Sequence, residues 1–389
     1  MFRYLCPIMS LIACTPYAGD SLSEFDGYSS GYESTSSSSS SSGENIEAGT
    51  LTAGTWNDID NWDFWLELID NPESSYFDQP NDWGFSLNQR LEIMLLDGEK
   101  PAVDTSVHMY DANGAQVWQS RTNNRGIAQL YPNIFEDQIG PFSIEIETQA
   151  GMIAYNEYLS LPVNKSLAME VEALPAENIV DLMFVIDTTS SMCDELRYLQ
   201  TELRYVINES KASFNTNSIL RSSVNFYRDE GDAYVTRSFP FSEDIDDVVS
   251  HLDAQGCRGG GDYPEAVGAA LEDAIQGHDW SPSAQARLLF LVLDAPPHQN
   301  EETLLSIQNS IEMAAEKGIQ IIPIASSGID KSTEFFLRSI DIATHGTYVF
   351  LTDHSGVGGA HLEASVGEFD VRPLNELLVE LIQEASVVE

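Results

Sequence analysis

Asn178-Ile-Val-Asp-Leu-Met-Phe-Val-Ile186, followed at once by Asp187-Thr-Thr-Ser-Ser191, decides how the rest of the chain is read. A nearly continuous apolar run of this length fits a strand covered on both faces, as in a parallel sheet with helices on either side. The polar stretch after it puts a carboxylate and several hydroxyls where the strand must turn, and Asp194 to Glu209 then carries a helical pattern. Working outward, further apolar runs lie at Arg221–Arg228, Ala233–Phe239, Arg287–Asp294, Ile319–Ala325 and Gly346–Leu351. Helical stretches separate several of them: Pro264–Ile275, Glu302–Lys317 and Thr333–Ala343. Strands alternating with helices predict a doubly wound, mostly parallel, Rossmann-like α/β fold with ligands at the carboxyl ends of its strands.

Composition narrows the partners. The 389 residues hold 18 Lys+Arg against 62 Asp+Glu, a formal charge of −44. Nucleic acid is excluded as a partner because it requires basic patches that displace counterions, and an anionic membrane surface repels such a chain as well. Hydrophobic residues make up 42% of the sequence, enough to bury cores despite the charge.

The chain opens on Met1-Phe2-Arg3 and an apolar stretch far shorter than the roughly 20 residues of a membrane span. That stretch ends in Leu11-Ile12-Ala13-Cys14, which resembles a bacterial lipobox. The resemblance implies a signal peptide over 1–13, lipidation of Cys14, and a protein exported and anchored by lipid alone at the bacterial cell envelope, on the outer membrane or cell surface. From Thr15 to Thr50 the composition falls to Ser, Gly, Glu, Asp and Tyr, with seven serines in a row at Ser36–Ser42. Residues 14–50 therefore read as a disordered Ser-rich linker with a reach of roughly 30–36 Å.

Residues 51–87 form a segment in which Trp56, Trp62, Trp65 and Trp83 lie among Asp58, Asp60 and Asp63. It is expected to pack on its neighbour as an aromatic anchor; Asp58-x-Asp60 lacks the glycine and distal glutamate of a calcium loop. From Arg90 the period becomes two, with Leu91, Ile93 and Leu95 on one face. Asp111-Ala-Asn-Gly114 marks a turn between Val107–Tyr110 and Ala115–Trp118, and Thr122-Asn-Asn-Arg-Gly126 precedes a further strand. This order resembles the transthyretin-like or Cna-B-like sandwiches of bacterial surface proteins, which implies a small all-β sandwich over 88–176 serving as a spacer.

Residues 177–389 resemble a von Willebrand factor A (vWA) domain. The resemblance rests on Asp187-x-Thr189-x-Ser191 after the first buried strand, on Gly259-Gly-Gly-Asp-Tyr-Pro-Glu-Ala266, on Leu291-Val-Leu-Asp-Ala-Pro-Pro-His298, and on Phe226-Tyr-Arg-Asp229. It implies a metal-ion-dependent adhesion site (MIDAS) for Mg2+, or Mn2+ or Ca2+, held directly or through water by Asp187, Thr189, Ser191, Asp262 and Asp294. The physics agrees: Mg2+ takes about six oxygen ligands and keeps waters when protein supplies few, and the helix N-terminus behind the first loop adds positive potential. In this family the metal captures an acidic side chain of a partner, so the implied partner is a protein or peptide. The family's second loop supplies a threonine where this chain reads Gly261-Asp262, and a direct Asp262 ligand would favour Ca2+ or Mn2+ and weaken the grip on an acidic partner.

Cys193 and Cys257 should lie around the metal-facing rim, where in an exported protein they either pair or remain free thiols. His298 near Ser190, Ser191 and Asp294 could suggest a hydrolase, but the acids and hydroxyls fit a metal site better and no enzyme is expected. His354 and His361 read as solvated residues of a Gly-rich loop. The functional expectation is a surface-displayed, lipid-anchored recognition or adhesion protein; the alternative is a metal-independent scaffold with a vestigial site.

Overall fold

The computed structural model describes residues 51–388 except 137, 139, 156–157, 161–163, 215–216 and 354–360. The expected signal peptide over 1–13, the expected lipidation at Cys14, the expected linker over 14–50 and His354 lie outside the described residues. Among the described residues no helix is long and apolar enough to cross a membrane.

The run at 178–186 becomes the strand Ile179–Asp187 in the middle of an eight-stranded sheet. It pairs in parallel with Ile219–Tyr227 on one side and Ala286–Leu293 on the other; Ile319–Ala325 and Tyr348–Thr352 continue in parallel beyond the latter. Side chains alternate between two cores. Met183, Val185, Leu289 and Leu291 face the helices Val267–Gln276, Glu301–Lys317 and Lys331–Thr344. Leu182, Phe184, Ile186, Leu288 and Phe290 face Cys193–Ser213, Ile245–Asp253 and Leu374–Ser386. Cover on both sides explains why the central strands Ile179–Asp187 and Ala286–Leu293 are apolar along most of their length, with Asp181, Asp187 and Arg287 confined to their ends. The expected α/β architecture is the observed one. Ala233–Phe239 contributes only the two-residue strand Thr236–Arg237, because Tyr234 turns its ring to the guanidinium groups of Arg228 and Arg237.

The N-terminal segment belongs to this sheet. Thr52–Trp56 runs antiparallel to Tyr348–Thr352 and also pairs with Arg372–Pro373, so a division at 177 separates residues that one sheet joins. A Cβ on Gly54 would lie 2.6 Å from the rings of both Phe350 and Phe369, so only glycine permits this pairing. Trp65 stacks on Phe335 and Trp83 on Phe336, at 5.5 and 4.8 Å between ring centres, which seats the segment on the helix Lys331–Thr344. Asp58 is not a cation ligand: its two oxygens take Nη2 and Nε of the fully buried Arg338 at 2.6 and 2.8 Å.

The region between them holds two four-stranded sheets. One joins Lys100–Pro101, Arg90–Asp97, Ile127–Leu130 and Asn164–Glu170, the last in parallel with Arg90–Asp97. The other is antiparallel through Gln116–Arg121, Ser106–Tyr110, Ser143–Thr148 and Gly151–Ala154. The turn read at Asp111–Gly114 is built by the Asp111 carboxylate, which accepts from the amides of Asn113 and Ala115. The region docks at the amino ends of the main-sheet strands: Arg287 Nη1 and Nη2 reach Asp104 at 2.8 and 3.1 Å, and Arg121 Nε joins at 2.7 Å.

Candidate functional site

The opposite pole of the sheet is its carboxyl end. The chain passes from Ile179–Asp187 to one neighbour and later returns to the other, which opens a crevice between Asp187 and Asp294 where open α/β sheets bind ligands. Asp187 is fully buried. Its Oδ1 accepts from the amide and the hydroxyl of Thr189, both at 2.7 Å, and Thr189 Oγ1 lies 3.3 Å from Ser191 Oγ. Asp187 Oδ2 and Asp294 Oδ1 are buried without a hydrogen-bond partner. The helix Cys193–Ser213 begins directly behind this loop with no side chain capping its first amides, so its positive end faces the carboxylates.

The second loop is fastened to the first. Gly259 O accepts from the amide and hydroxyl of Ser190 at 3.2 and 2.8 Å, and Arg258 N donates to Thr188 O at 2.9 Å. A disulfide joins Cys193 to Cys257, their Cα atoms 5.2 Å apart. Gly260 adopts φ 72°, and a Cβ there would lie 2.9 Å from Glu265 Oε1 and 3.2 Å from Thr189 Cβ. The glycines therefore bring a second acid against the first loop.

That acid is Glu265, which the sequence analysis did not single out. It is 3% exposed, its amide is held by Pro296 O at 2.9 Å, and its Oε2 has no hydrogen-bond partner. Asp262, the sequence-based choice in this loop, is exposed. The signal that could have found Glu265 is Pro264-Glu265 at the turn into a helix: an acid just before an apolar helical stretch, close to where the loops converge.

Electrostatics describe a place short of positive charge. Burial raises Asp187 to about 7, with the Asp294 charge adding and the Thr189 hydrogen bonds and the nearby Tyr227 hydroxyl opposing. Burial and then the charges of Asp187, Asp229, Asp294 and Asp232 push Glu265 to about 9. Asp294 is raised by burial against the Ser191 hydroxyl, and Tyr227, buried beside them, is held well above the usual phenol range, first by burial. The surrounding acids are engaged elsewhere. Asp229 holds His298 Nε2 at 2.7 Å, Asp232 accepts from Gly260 N at 2.9 Å, and Glu195 accepts from Ser327 Oγ at 3.3 Å. With His298 on Asp229 and Ser190 on Gly259, no serine–histidine pair forms here among the hydrogen bonds of the described residues. His361 binds Asp353 through Nδ1 at 2.7 Å.

Oxygens of two acids and two hydroxyls suit a hard cation such as Mg2+, Mn2+ or Ca2+. Among the described residues no three His, Cys, Asp or Glu side chains close around one point. A cation here would therefore rely on the Thr189 and Ser191 hydroxyls and on water as well as on carboxylates.

Comparison with known families agrees with this geometry: residues 181–360 match the von Willebrand factor A domain. This part of the chain is a vWA domain. The chain is 23% identical over 231 residues to the alpha-protein kinase vwkA of Dictyostelium discoideum, a match covering 58% of the chain and 36% of that protein. It is 31% identical over 123 residues to the putative ariadne-like RING finger protein R811 of Acanthamoeba polyphaga mimivirus, covering 31% of the chain and 11% of that protein. The chain thus spans about a third or less of the length of these curated relatives. The vWA domain points to protein interaction or adhesion.

Proposed function

We propose that the protein is a surface-displayed recognition or adhesion protein whose vWA domain engages a protein or peptide partner through a divalent cation at the carboxyl pole of the sheet. The observation that carries this reading is the pair of buried, unpartnered oxygens, Asp187 Oδ2 and Asp294 Oδ1, beside the Thr189 and Ser191 hydroxyls. A buried carboxylate oxygen with no partner is costly, and Mg2+, Mn2+ or Ca2+ would relieve it while leaving coordination positions for a partner's side chain. Asp187 and Asp294 would hold the ion, Thr189 and Ser191 would supply neutral oxygens, and Asp187 Oδ1 already fixes the Thr189 rotamer through its hydrogen bond.

The disulfide supports an oxidising compartment, in line with a signal peptide over 1–13, a lipid anchor at Cys14 and a flexible linker over 14–50. The β-rich region, with its likeness to Cna-B or transthyretin sandwiches, serves as a spacer fastened to the pole away from the site. No bond-breaking chemistry is proposed. A metal-independent scaffold is the second reading, favoured by the lack of a closed set of three acids among the described residues.

A peptide library screened against the full chain separates the two readings. Binders lost on adding EDTA and lost in Asp187→Ala support the cation-dependent reading; binders indifferent to both support the scaffold.

A further inference from the structure

We propose that Glu265, and not Asp262, is the acid that the second loop gives to the cation site, and that this third carboxylate turns the site towards Ca2+ or Mn2+ in preference to Mg2+. The inference rests on the cation reading above and deepens it.

Three observations place Glu265 there. Its carboxylate and Thr189 Cβ flank the same point beside Gly260, so it lies against the loop that carries the hydroxyl ligands. It is buried, and Oε2 lacks a partner, as do Asp187 Oδ2 and Asp294 Oδ1. The other acids near the crevice have partners: Asp229 has His298, Asp232 has Gly260 N and Glu195 has Ser327. Asp262, three residues earlier, is exposed.

Burying an acid against two others without a counter-charge is unfavourable unless something positive joins them. The three acids do not close around a point by themselves, so Glu265 would join the ion by a side-chain rotation that brings its carboxylate into direct contact. Mg2+ holds its octahedron tightly and is commonly bound by one or two carboxylates plus waters, whereas Ca2+ accepts more oxygens in looser geometry. Three ionised carboxylates on one divalent ion leave a net charge of about −1, so a partner's own acid gains little from the site while Glu265 stays in place.

The test is isothermal titration of the full chain, after chelation, with MgCl2, MnCl2 and CaCl2, for wild type, Glu265→Gln, Asp262→Asn and Asp187→Ala. Wild type is expected to bind Ca2+ at least about tenfold more tightly than Mg2+. Glu265→Gln should lose about tenfold or more for Ca2+ with a much smaller loss for Mg2+, collapsing the preference, while Asp262→Asn keeps it. Glu265→Asp, which retains the charge, should fall between wild type and Glu265→Gln, and it serves as the test if the glutamine variant does not fold. A wild type that prefers Mg2+, a Glu265→Gln variant with wild-type affinities, or an Asp262→Asn variant showing the large loss would each overturn the proposal. Asp187→Ala separates the failures: if it alone abolishes binding, the cation site stands without Glu265, and if it binds as wild type does, the cation reading itself has failed.

Discussion

The two poles of the main sheet bury most of their acids in opposite ways, Asp341 on the amino side, whose Oδ2 also lacks a partner, being the exception. At the amino pole, Asp181 takes both Nε and Nη2 of Arg221 at 2.7 Å, and Asp104 is shared by Arg287 and Arg121. Asp58, within the N-terminal segment, is likewise clamped by Arg338 of the helix Lys331–Thr344. At the carboxyl pole, Asp187, Asp294 and Glu265 share a crevice with oxygens that no side chain satisfies. Paired acids fasten the N-terminal segment and the β-rich region to the vWA domain. The unmatched ones keep oxygens without a hydrogen-bond partner, and a disulfide rather than an ion pair holds their loops together.

The largest effect should come from breaking a matched pair. Arg338→Leu leaves Asp58 buried without its guanidinium and should cost about 3–5 kcal/mol in urea unfolding. A loss under 1 kcal/mol would mean that this pair does not fasten the segment. At the other pole, Cys193→Ser with Cys257→Ser releases a 64-residue separation and should cost about 2–4 kcal/mol. The same variant should bind divalent cations less tightly by calorimetry, because the two loops are then tied only by hydrogen bonds.

A third difference between the poles is acid sensitivity. His345 lies at the amino pole, partly buried, with desolvation and then the Arg125 charge lowering it to about 4 from an ordinary value near 6.5. Between those values the unfolded chain binds the extra proton, so this contribution is complete above about pH 6.5 and is lost as pH falls towards 4, roughly 3 kcal/mol in all. Asn tolerates the left-handed φ of 61° at this position, so His345→Asn should flatten that part of the pH–stability profile; an unchanged profile would place the acid sensitivity elsewhere. The smallest effect is expected of Asp262→Asn, exposed at the rim of the site, within about 0.5 kcal/mol by thermal unfolding.

Much of this was legible in the sequence, for reasons visible in particular residues. The strand Ile179–Asp187 announces itself because both of its faces are covered, and the run 287–294 reappears as Ala286–Leu293 for the same reason. Helix ends were legible to within a few residues where caps or left-handed residues mark them, as at Asn300, whose side chain accepts from Thr303 N, and Gly318. The strand Thr52–Trp56 was not, because five residues with a central glycine show little alternation and their partner lies almost 300 positions away. Asp187, Thr189, Ser191 and Asp294 were named through the resemblance to a vWA domain, which the loops after the buried strands carry. Glu265 was not, because its approach to Thr189 depends on two consecutive left-handed glycines that bend the loop back on itself.

The contrast between the poles reduces to one claim: the carboxyl pole is completed by a divalent cation. The measurement that tests it most directly is the thermal midpoint of the protein, stripped with EDTA and titrated with Mg2+, Mn2+ and Ca2+, for wild type beside Asp187→Ala. An ion that binds only the folded state adds about 2.7 kcal/mol at a hundredfold excess over its dissociation constant, so the wild-type midpoint should climb and that of Asp187→Ala should stay flat. Equal rises in both proteins would show ions merely screening the −44 charge, and they would contradict a cation site at Asp187.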